Sequence, residues 1–200
     1  QAPRQFELDF PAASYDEFQA AMTSNNNAGI STANQGNSVR YNAQQMSLDV
    51  AGNANVTMPA GTYFFKSIHM RGGSTLNVTG PVKIYVTDVL DIGADADIFA
   101  SWPGDVQIFA HPYPLPTPDV SAETLVKVNG GSNVTWALYA PGAALDIGGG
   151  NHFYGAAAAK RIELNGSNAF HYDKALGAFG SKGAAIIERL YWKEAPLPRP

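Results

Sequence analysis

The chain of 200 residues has no cysteine, so it can form neither a disulfide framework nor a thiolate metal site. It is also poor in charge, because 15% of its residues are charged where about 25% is usual in soluble domains. The formal net charge is −4 and no basic cluster occurs, so the attraction that draws proteins to nucleic acids and anionic membranes is missing. We therefore expect no nucleic-acid partner.

Motifs of membrane insertion and of catalysis are missing as well. No run of about 18 apolar residues occurs, so the sequence predicts no membrane span in this chain. There is no Gly-x-Ser-x-Gly nucleophile elbow and no Gly-x-x-x-x-Gly-Lys phosphate loop. We therefore predict a protein that is not an enzyme, with no catalytic residues, no cofactor and no bound metal.

Glycine is abundant instead, with 20 residues, and it marks a nine-residue phrase that the sequence repeats six times. Each copy has apolar residues at its first, third and ninth positions around a glycine-centred corner. The copies begin 20, 22, 36, 19 and 17 residues apart and occupy residues 48–56, 68–76, 90–98, 126–134, 145–153 and 162–170. A recurrence near 20 residues with one long interval predicts a stacked solenoid.

The repeat predicts a mainly β protein, a three-sided parallel β-solenoid. Every copy supplies a strand before the corner and begins a second strand at its ninth position, and a third apolar segment precedes the next copy. These third segments are residues 62–67, 82–87, 106–110, 137–140 and 156–160. Stacked strands about 4.8 Å apart would form the sides. Parallel crossovers strongly prefer one hand, which predicts a right-handed coil.

Glycine stands at the fifth position of most copies. These residues are Gly52, Gly72, Gly130, Gly149 and Gly166. The copy that begins at Leu90 carries its glycine, Gly93, one position earlier. Because glycine reaches the left-handed backbone region easily, we predict positive φ at the fifth position.

The segments around the repeats divide the chain into three parts. Residues 1–38 are an N-terminal extension with a capping helix and a polar loop, and residues 39–176 are the solenoid. The solenoid carries a proline-rich insertion at residues 111–125, which must bulge outward because proline lacks the amide donor of a central strand. Residues 177–200 are predicted to form a C-terminal strand or short helix and a proline-rich tail.

The N-terminal extension contains one clear helix signal. Residues 14–17 have capping-box spacing, and Tyr15, Phe18 and Met22 would share one face of the helix that follows. We expect this helix to cap an open end of the solenoid, where unpaired strands invite association. The polar, glycine-punctuated residues 25–37 are predicted to be a loop.

The second position of each copy lies between two inward apolar residues, so strand alternation points it to solvent. It supplies a candidate surface-binding column, which we call the acidic column. Its members are Asp49, His69, Asp91, Lys127, Asp146 and Glu163. Stacked carboxylates suit a cation such as Ca²⁺ or the hydroxyl groups of a glycan. Lys127 interrupts the acids, so we prefer a structural ladder of cross-strand ion pairs.

The tenth positions form a second outward column, which contains a candidate aromatic strip. The strip consists of Phe99, Tyr154 and His171, and the column also holds Thr57, Asn77 and Thr135. Aromatic faces suit adhesion or stacking on carbohydrate. Because exposed aromatic patches are uncommon on monomers, we prefer packing beneath the N-terminal helix or the proline-rich insertion.

Two smaller groups of polar residues complete the candidates. Asp95, Asp97 and Asp105 lie near a glycine corner, but the glycine–aspartate repeat of calcium-binding β-rolls is absent, so we interpret them as solvated acids. His152 and His171 are expected to pair across neighbouring turns in a hydrogen-bonded, structural role rather than at a metal.

Several late phrases of the chain resemble a known family. They are residues 136–141 (WALYAP), 145–151 (LDIGGGN), 153–156 (FYGA) and 170–176 (FHYDKAL). They resemble the uncharacterised β-solenoid domain at the C-terminal side of bacterial pilus-assembly-associated proteins. This resemblance implies an exported or surface-exposed bacterial protein without an assigned activity. Residues 58–63 (MPAGTY) are similar to a phrase of the ice-binding solenoid family, which implies kinship of fold only.

These observations predict a non-enzymatic structural or assembly module, located outside the cell or at the bacterial cell surface. A rigid solenoid of this kind would self-associate into an oligomer or filament, or contact a pilus or surface matrix. The alternative is an adhesin-like module that binds surface polysaccharide through the acidic column or the aromatic strip. Ice binding ranks below both, because the outward column lacks a flat array of threonines.

Overall fold

The structure, a computed structural model, describes residues 15–33, 39–112, 124–174 and 176. Its helices are α1 (Tyr15–Thr23) and α2 (Asn27–Ala33). Its strands are β1 (Val39–Asn42), β2 (Ser47–Val50), β3 (Asn55–Met58), β4 (Gly61–Met70), β5 (Thr75–Val78), β6 (Val82–Ile92), β7 (Asp97–Phe99), β8 (Val106–Ala110), β9 (Thr124–Val128), β10 (Asn133–Ile147), β11 (His152–Leu164) and β12 (Ala169–His171). A 3-10 helix, Pro103–Asp105, precedes β8. The predicted C-terminal strand or helix, the tail and most of the proline-rich insertion lie outside the described residues.

Parallel pairing between successive turns arranges the strands in three ladders. Ladder A joins residues 47–50, 67–70, 89–92, 125–128, 144–147 and 161–164. Ladder B joins residues 55–58, 75–78, 97–99, 133–135, 152–154 and 169–171. Ladder C joins residues 61–65, 82–86, 106–110, 137–139 and 156–158, and so confirms the predicted third segments. The chain is a mainly β solenoid of about six turns, as predicted, while the right hand and the three-sided cross-section stay predictions.

Apolar side chains from successive turns form one continuous core. The first repeat position is buried in five copies, at Leu48, Ile68, Leu90, Val126 and Leu145, and all five belong to the same cluster. Their burial follows from strand alternation, because the neighbours on either side in sequence point outward. In the sixth copy Ile162 is 45% exposed, since ladder A ends with this turn in the described part of the chain.

The corners correct the prediction for the fifth-position glycines. Positive φ falls on the sixth position in five copies, at Asn53, Gly73, Asp95, Gly131 and Gly150, and on the fifth only at Gly166. Asparagine and aspartate tolerate this region better than other side chains. The fifth position needs glycine for another reason, because a Cβ on Gly130 would lie 2.6 Å from the carbonyl oxygen of Gly149. Successive corners therefore pack backbone against backbone.

The predicted N-terminal helix exists as α1, and it lies along the side of the solenoid. Phe18 is buried against Phe64 and Tyr85, whose side chains point outward from ladder C. The ring centroids of Phe18 and Tyr85 are 4.9 Å apart in an edge-to-face arrangement. Met22 packs at the margin of the same cluster, as expected from its place on the helix.

The first end of the solenoid is closed by α2 and β1. Residues 25–37, predicted to be a loop, contain α2, and its Ile30 is fully buried in the main core. This helix contacts β1 and β3. β1 pairs in antiparallel fashion with β2, where Val39 faces Val50, and so covers the edge of ladder A. The capping role expected of α1 therefore belongs to these two elements.

Two asparagines at the beginning of α2, one just before it and one as its first residue, cover the first strand of ladder C. The Asn27 side chain donates to the carbonyl oxygen of Phe64 and accepts a hydrogen bond from its backbone N–H, at 3.1 Å. Asn26 also makes two hydrogen bonds to Thr62. Its backbone N–H donates to the Thr62 carbonyl at 2.8 Å, and its side-chain Oδ1 accepts from the Thr62 N–H at 3.0 Å. These bonds satisfy backbone groups that a preceding turn would otherwise pair.

Candidate functional site

The acidic column runs in register along ladder A. Each member faces the next one across a strand pair, in the order Asp49, His69, Asp91, Lys127, Asp146 and Glu163. The predicted outward alternation therefore places all six side chains on one face of the solenoid. Whether this face binds a ligand stays a prediction.

In the acidic column Glu163 forms a close ion pair with Arg161, whereas the charges of His69, Asp91 and Lys127 contact one another only loosely. His69 Nδ1 lies 3.9 Å from a carboxylate oxygen of Asp91, and both side chains are more than a third exposed. The other Asp91 oxygen accepts a hydrogen bond from the Asn129 amide at 3.1 Å. Lys127 lies between Asp91 and Asp146 in the register, but within the described part of the chain it forms no ion pair with either. Exposed pairs of this kind stabilise a fold by about 0–1 kcal/mol.

Among the corner acids, Asp97 has a structural partner. A carboxylate oxygen of Asp97 accepts hydrogen bonds from the backbone N–H of Asn133 at 2.7 Å and from its amide at 3.0 Å. Asp95 has a φ of 57° and forms part of the corner itself. Within residues 15–33, 39–112, 124–174 and 176 no group of three or more His, Cys, Asp or Glu side chains is arranged to hold a metal ion.

The aromatic strip lies in register along ladder B, and part of it is stacked. Tyr154 and His171 face each other on neighbouring turns, with ring centroids 4.6 Å apart and planes within 11° of parallel. His152 and His171 pair as expected, with Nδ1 of His152 3.3 Å from Nε2 of His171. The preferred burial beneath a helix or insertion is wrong for Phe99 and Tyr154, which are 50% and 39% exposed.

An open cleft of about 590 Å³ lies beside the strip. Its floor is formed by Thr135, Tyr154 and His171 on ladder B. One wall comes from residues 100–103, next to the 3-10 helix, and the other from residues 172–174 after β12. The cleft draws on four separate parts of the chain, at residues 100–103, 135, 154 and 171–174, so only the stacking of the turns brings them together.

A second aromatic column was missed by the sequence reasoning. It follows the outer face of ladder C through Phe64, Tyr85, Phe109 and Tyr139, which are neighbours in register. Tyr85 and Phe109 stack with centroids 5.1 Å apart. Helix α1 covers the beginning of this column, so the burial that we expected for the aromatic strip occurs here instead. The alternation of inward and outward residues within the third segments could have revealed this column.

Burial changes the acidity of this covered column. Burial, and to a lesser degree the carboxylate of Glu17, raises the pKa of Tyr85 to about 12. Burial also raises the pKa of Tyr139 to about 12. Both phenols therefore stay neutral to a higher pH than an exposed tyrosine does.

The seventh repeat position was also missed, and it turns inward at the corner. Ser74, Ala96, Ser132 and Asn151 occupy it in four of the copies, and all are buried. The Asn151 amide bridges turns, because its Oδ1 accepts from the Ser132 N–H at 2.9 Å. Its Nδ2 donates to the Gly148 carbonyl at 2.6 Å and so fixes its own corner.

Neither helix that the structure describes is long and apolar enough to cross a bilayer.

Comparison with known proteins identifies a family but no activity. No curated protein and no solved structure matches the chain. The family model of a domain of unknown function, DUF7305, matches residues 16–179, which include α1 apart from its first residue, α2 and every described turn of the solenoid. The chain therefore belongs to the DUF7305 family.

Proposed function

We propose that the protein is a non-enzymatic structural module of a bacterial surface assembly, and that it associates with a second copy of itself through its last turn. The observation that carries this proposal is the difference between the two ends of the solenoid. Export to the cell surface is supported by the resemblance to pilus-associated solenoid domains and by the absence of cysteine, which suits an oxidising compartment.

The first end offers little for association. Strand β1 covers the edge of β2, Asn26 and Asn27 pair with the first strand of ladder C, and α2 buries Ile30 in the core. Backbone groups that are already paired cannot recruit another strand. Stacking of one copy on the first end of another, as in a head-to-tail filament, is therefore disfavoured.

The last turn has apolar residues at inward positions that are only partly covered. Leu164 and Phe170 are each 53% exposed. The equivalent residues one turn earlier, Ile147 and Phe153, are 0% and 4% exposed. The sequence pattern thus specifies a core residue at each place, while the described part of the chain supplies no further turn to cover it.

A second copy matches this surface in both backbone and side chains. Two last turns that meet around a twofold axis would present the same strand edges and the same apolar residues to each other. Such a contact closes on itself, so it predicts a dimer rather than an open filament. The dimer would leave the sides of both solenoids available for contacts with a pilus or a surface matrix.

Sedimentation velocity of the full chain over a wide range of concentrations tests the proposal. We expect a concentration-dependent dimer, and we expect Leu164→Lys to shift it to monomer because a charge would be buried in the contact. Phe99→Lys is the matched control, since Phe99 is 50% exposed on the side of the solenoid, and it should leave the dimer intact.

A wild-type chain that stays monomeric at every concentration would refute the proposal. If Phe99→Lys dissociated the dimer as strongly as Leu164→Lys, the contact would have to lie on the side of the solenoid. Filaments in electron micrographs would likewise contradict a closed, twofold contact.

A further inference from the structure

The cleft beside the aromatic strip has a defined construction. Gly155 has a φ of 131°, and a Cβ there would lie 1.9 Å from the carbonyl oxygen of Trp136 and 3.0 Å from Cβ of Pro103. Only glycine fits both this backbone conformation and this close approach. The glycine allows the 3-10 helix to pack onto β10 and β11, and Pro103 is buried there. The wall of residues 100–103 is therefore held in place by the core of the fold.

The ring of Tyr154 presents one face to the cleft. His171 covers the opposite face, with nearly parallel planes on the neighbouring turn. Since the stacking direction runs along ladder B, the second face of Tyr154 looks toward Thr135, its register partner on the other side. Threonine is short, so this face borders the open space that Thr135 and Tyr154 both line.

Polar groups surround this aromatic face. Ser101 and Thr135 contribute hydroxyl groups, Lys174 an ammonium group, and Tyr172, 59% exposed, a second ring. An aromatic face next to several hydrogen-bond donors and acceptors suits a ligand whose ring is apolar on its face and carries polar groups around its rim. A cleft of about 590 Å³ lies within the range of about 300–1,000 Å³ that is usual for small-ligand sites.

We infer that this cleft binds an uncharged sugar unit of a polysaccharide, stacked on Tyr154 and held at its hydroxyl groups by the two walls. Nucleotides fit less well, because the net charge of −4 opposes a polyphosphate. The site shares no residue with the apolar contact of the last turn formed by Leu164 and Phe170. Because His171 lies next to Phe170 on the last turn, the two sites are neighbours, but their tests use different residues and different readouts.

Calorimetric titration of the full chain with chitohexaose and cellohexaose, both uncharged, tests the inference. We expect one of them to bind and Tyr154→Ala to weaken the binding about tenfold, as expected for loss of one aromatic contact. Tyr154→Phe keeps the ring face and should bind within about twofold of the wild type, by the same contact argument. Tyr172→Ala, outside the ladders, is a second variant in which the loss of oligosaccharide binding is measured.

The matched control is Phe99→Ala, which removes an exposed ring from the same column but not from the lining of the cleft. Its affinity should equal that of the wild type, and circular dichroism should show that every variant is folded. Failure of both oligosaccharides to bind would overturn the inference. So would an equal loss in Phe99→Ala and Tyr154→Ala, because the strip rather than the cleft would then be the site.

Discussion

At the first end of the solenoid Leu48 and Val50 are buried, whereas at the last end Ile162 and Leu164, which hold the same repeat positions, are 45% and 53% exposed. The residues are similar in size and apolarity, and both pairs belong to ladder A. What differs is the cover, since α2 and β1 close the first end. Burial in a solenoid is therefore a property of the neighbouring turn as much as of the sequence phrase.

The largest expected effect compares a central turn with the last one. Leu90→Ala removes a side chain that is 1% exposed, and we expect it to lower the free energy of unfolding by about 2 to 5 kcal/mol. Measured at concentrations where the chain is monomeric, Ile162→Ala at the same repeat position should lower it by about 1 kcal/mol or less. Urea unfolding followed by circular dichroism measures both. Equal losses would mean that the last turn is covered in solution and would abolish the contrast.

A medium effect is expected at the closed end. Asn27→Ala leaves the buried N–H and carbonyl of Phe64 without their partner, which should lower the free energy of unfolding by about 1 to 3 kcal/mol. Asn77→Ala, on the outer face of ladder B, is the control and should change it by about 0.5 kcal/mol or less. The same unfolding assay applies. A neutral Asn27→Ala would show that the asparagines do not help to close this end.

The smallest effect is expected in the region where α1 covers the first turns, and it appears only at high pH. The pKa of Tyr85 is raised to about 12 in the folded protein from 10.0, so its contribution is fully present below about pH 10 and is lost as the pH rises toward 12. At pH 11 the wild type should have lost about 1 kcal/mol through this residue. Tyr85→Phe should be less sensitive to pH by that amount in urea unfolding at pH 7, 9 and 11. Parallel pH profiles of the wild type and Tyr85→Phe would contradict the assignment of this pH dependence to Tyr85.

The sequence was sufficient to predict the stacking of the turns. The alternation around Leu48, Leu90 and Leu145 repeats at every turn, and each turn between the two ends meets the same environment as the one before it. A repeated pattern therefore reports directly on burial and on register. The acidic column and the aromatic strip fall in register for the same reason.

Features that depend on contacts between different segments could not be predicted in this way. Gly72 and Gly130, at the fifth position, are required by a carbonyl oxygen of the adjacent corner, which no local propensity reveals. Helix α2 forms in a polar segment because Ile30 reaches the core and Asn27 finds a strand edge. The cleft needs residues 100–103, Tyr154 and residues 172–174 at once.

The three ladders also determine how the module would respond to force. Their hydrogen bonds run between turns, along the axis of the solenoid, so a pull between its two ends stretches these bonds directly instead of shearing them. Such a body opens by peeling, one turn after another, and each turn of about 20 residues releases up to about 70 Å of extended chain. A surface structure built from it would lengthen gradually under load and could rewind from the turns that remain.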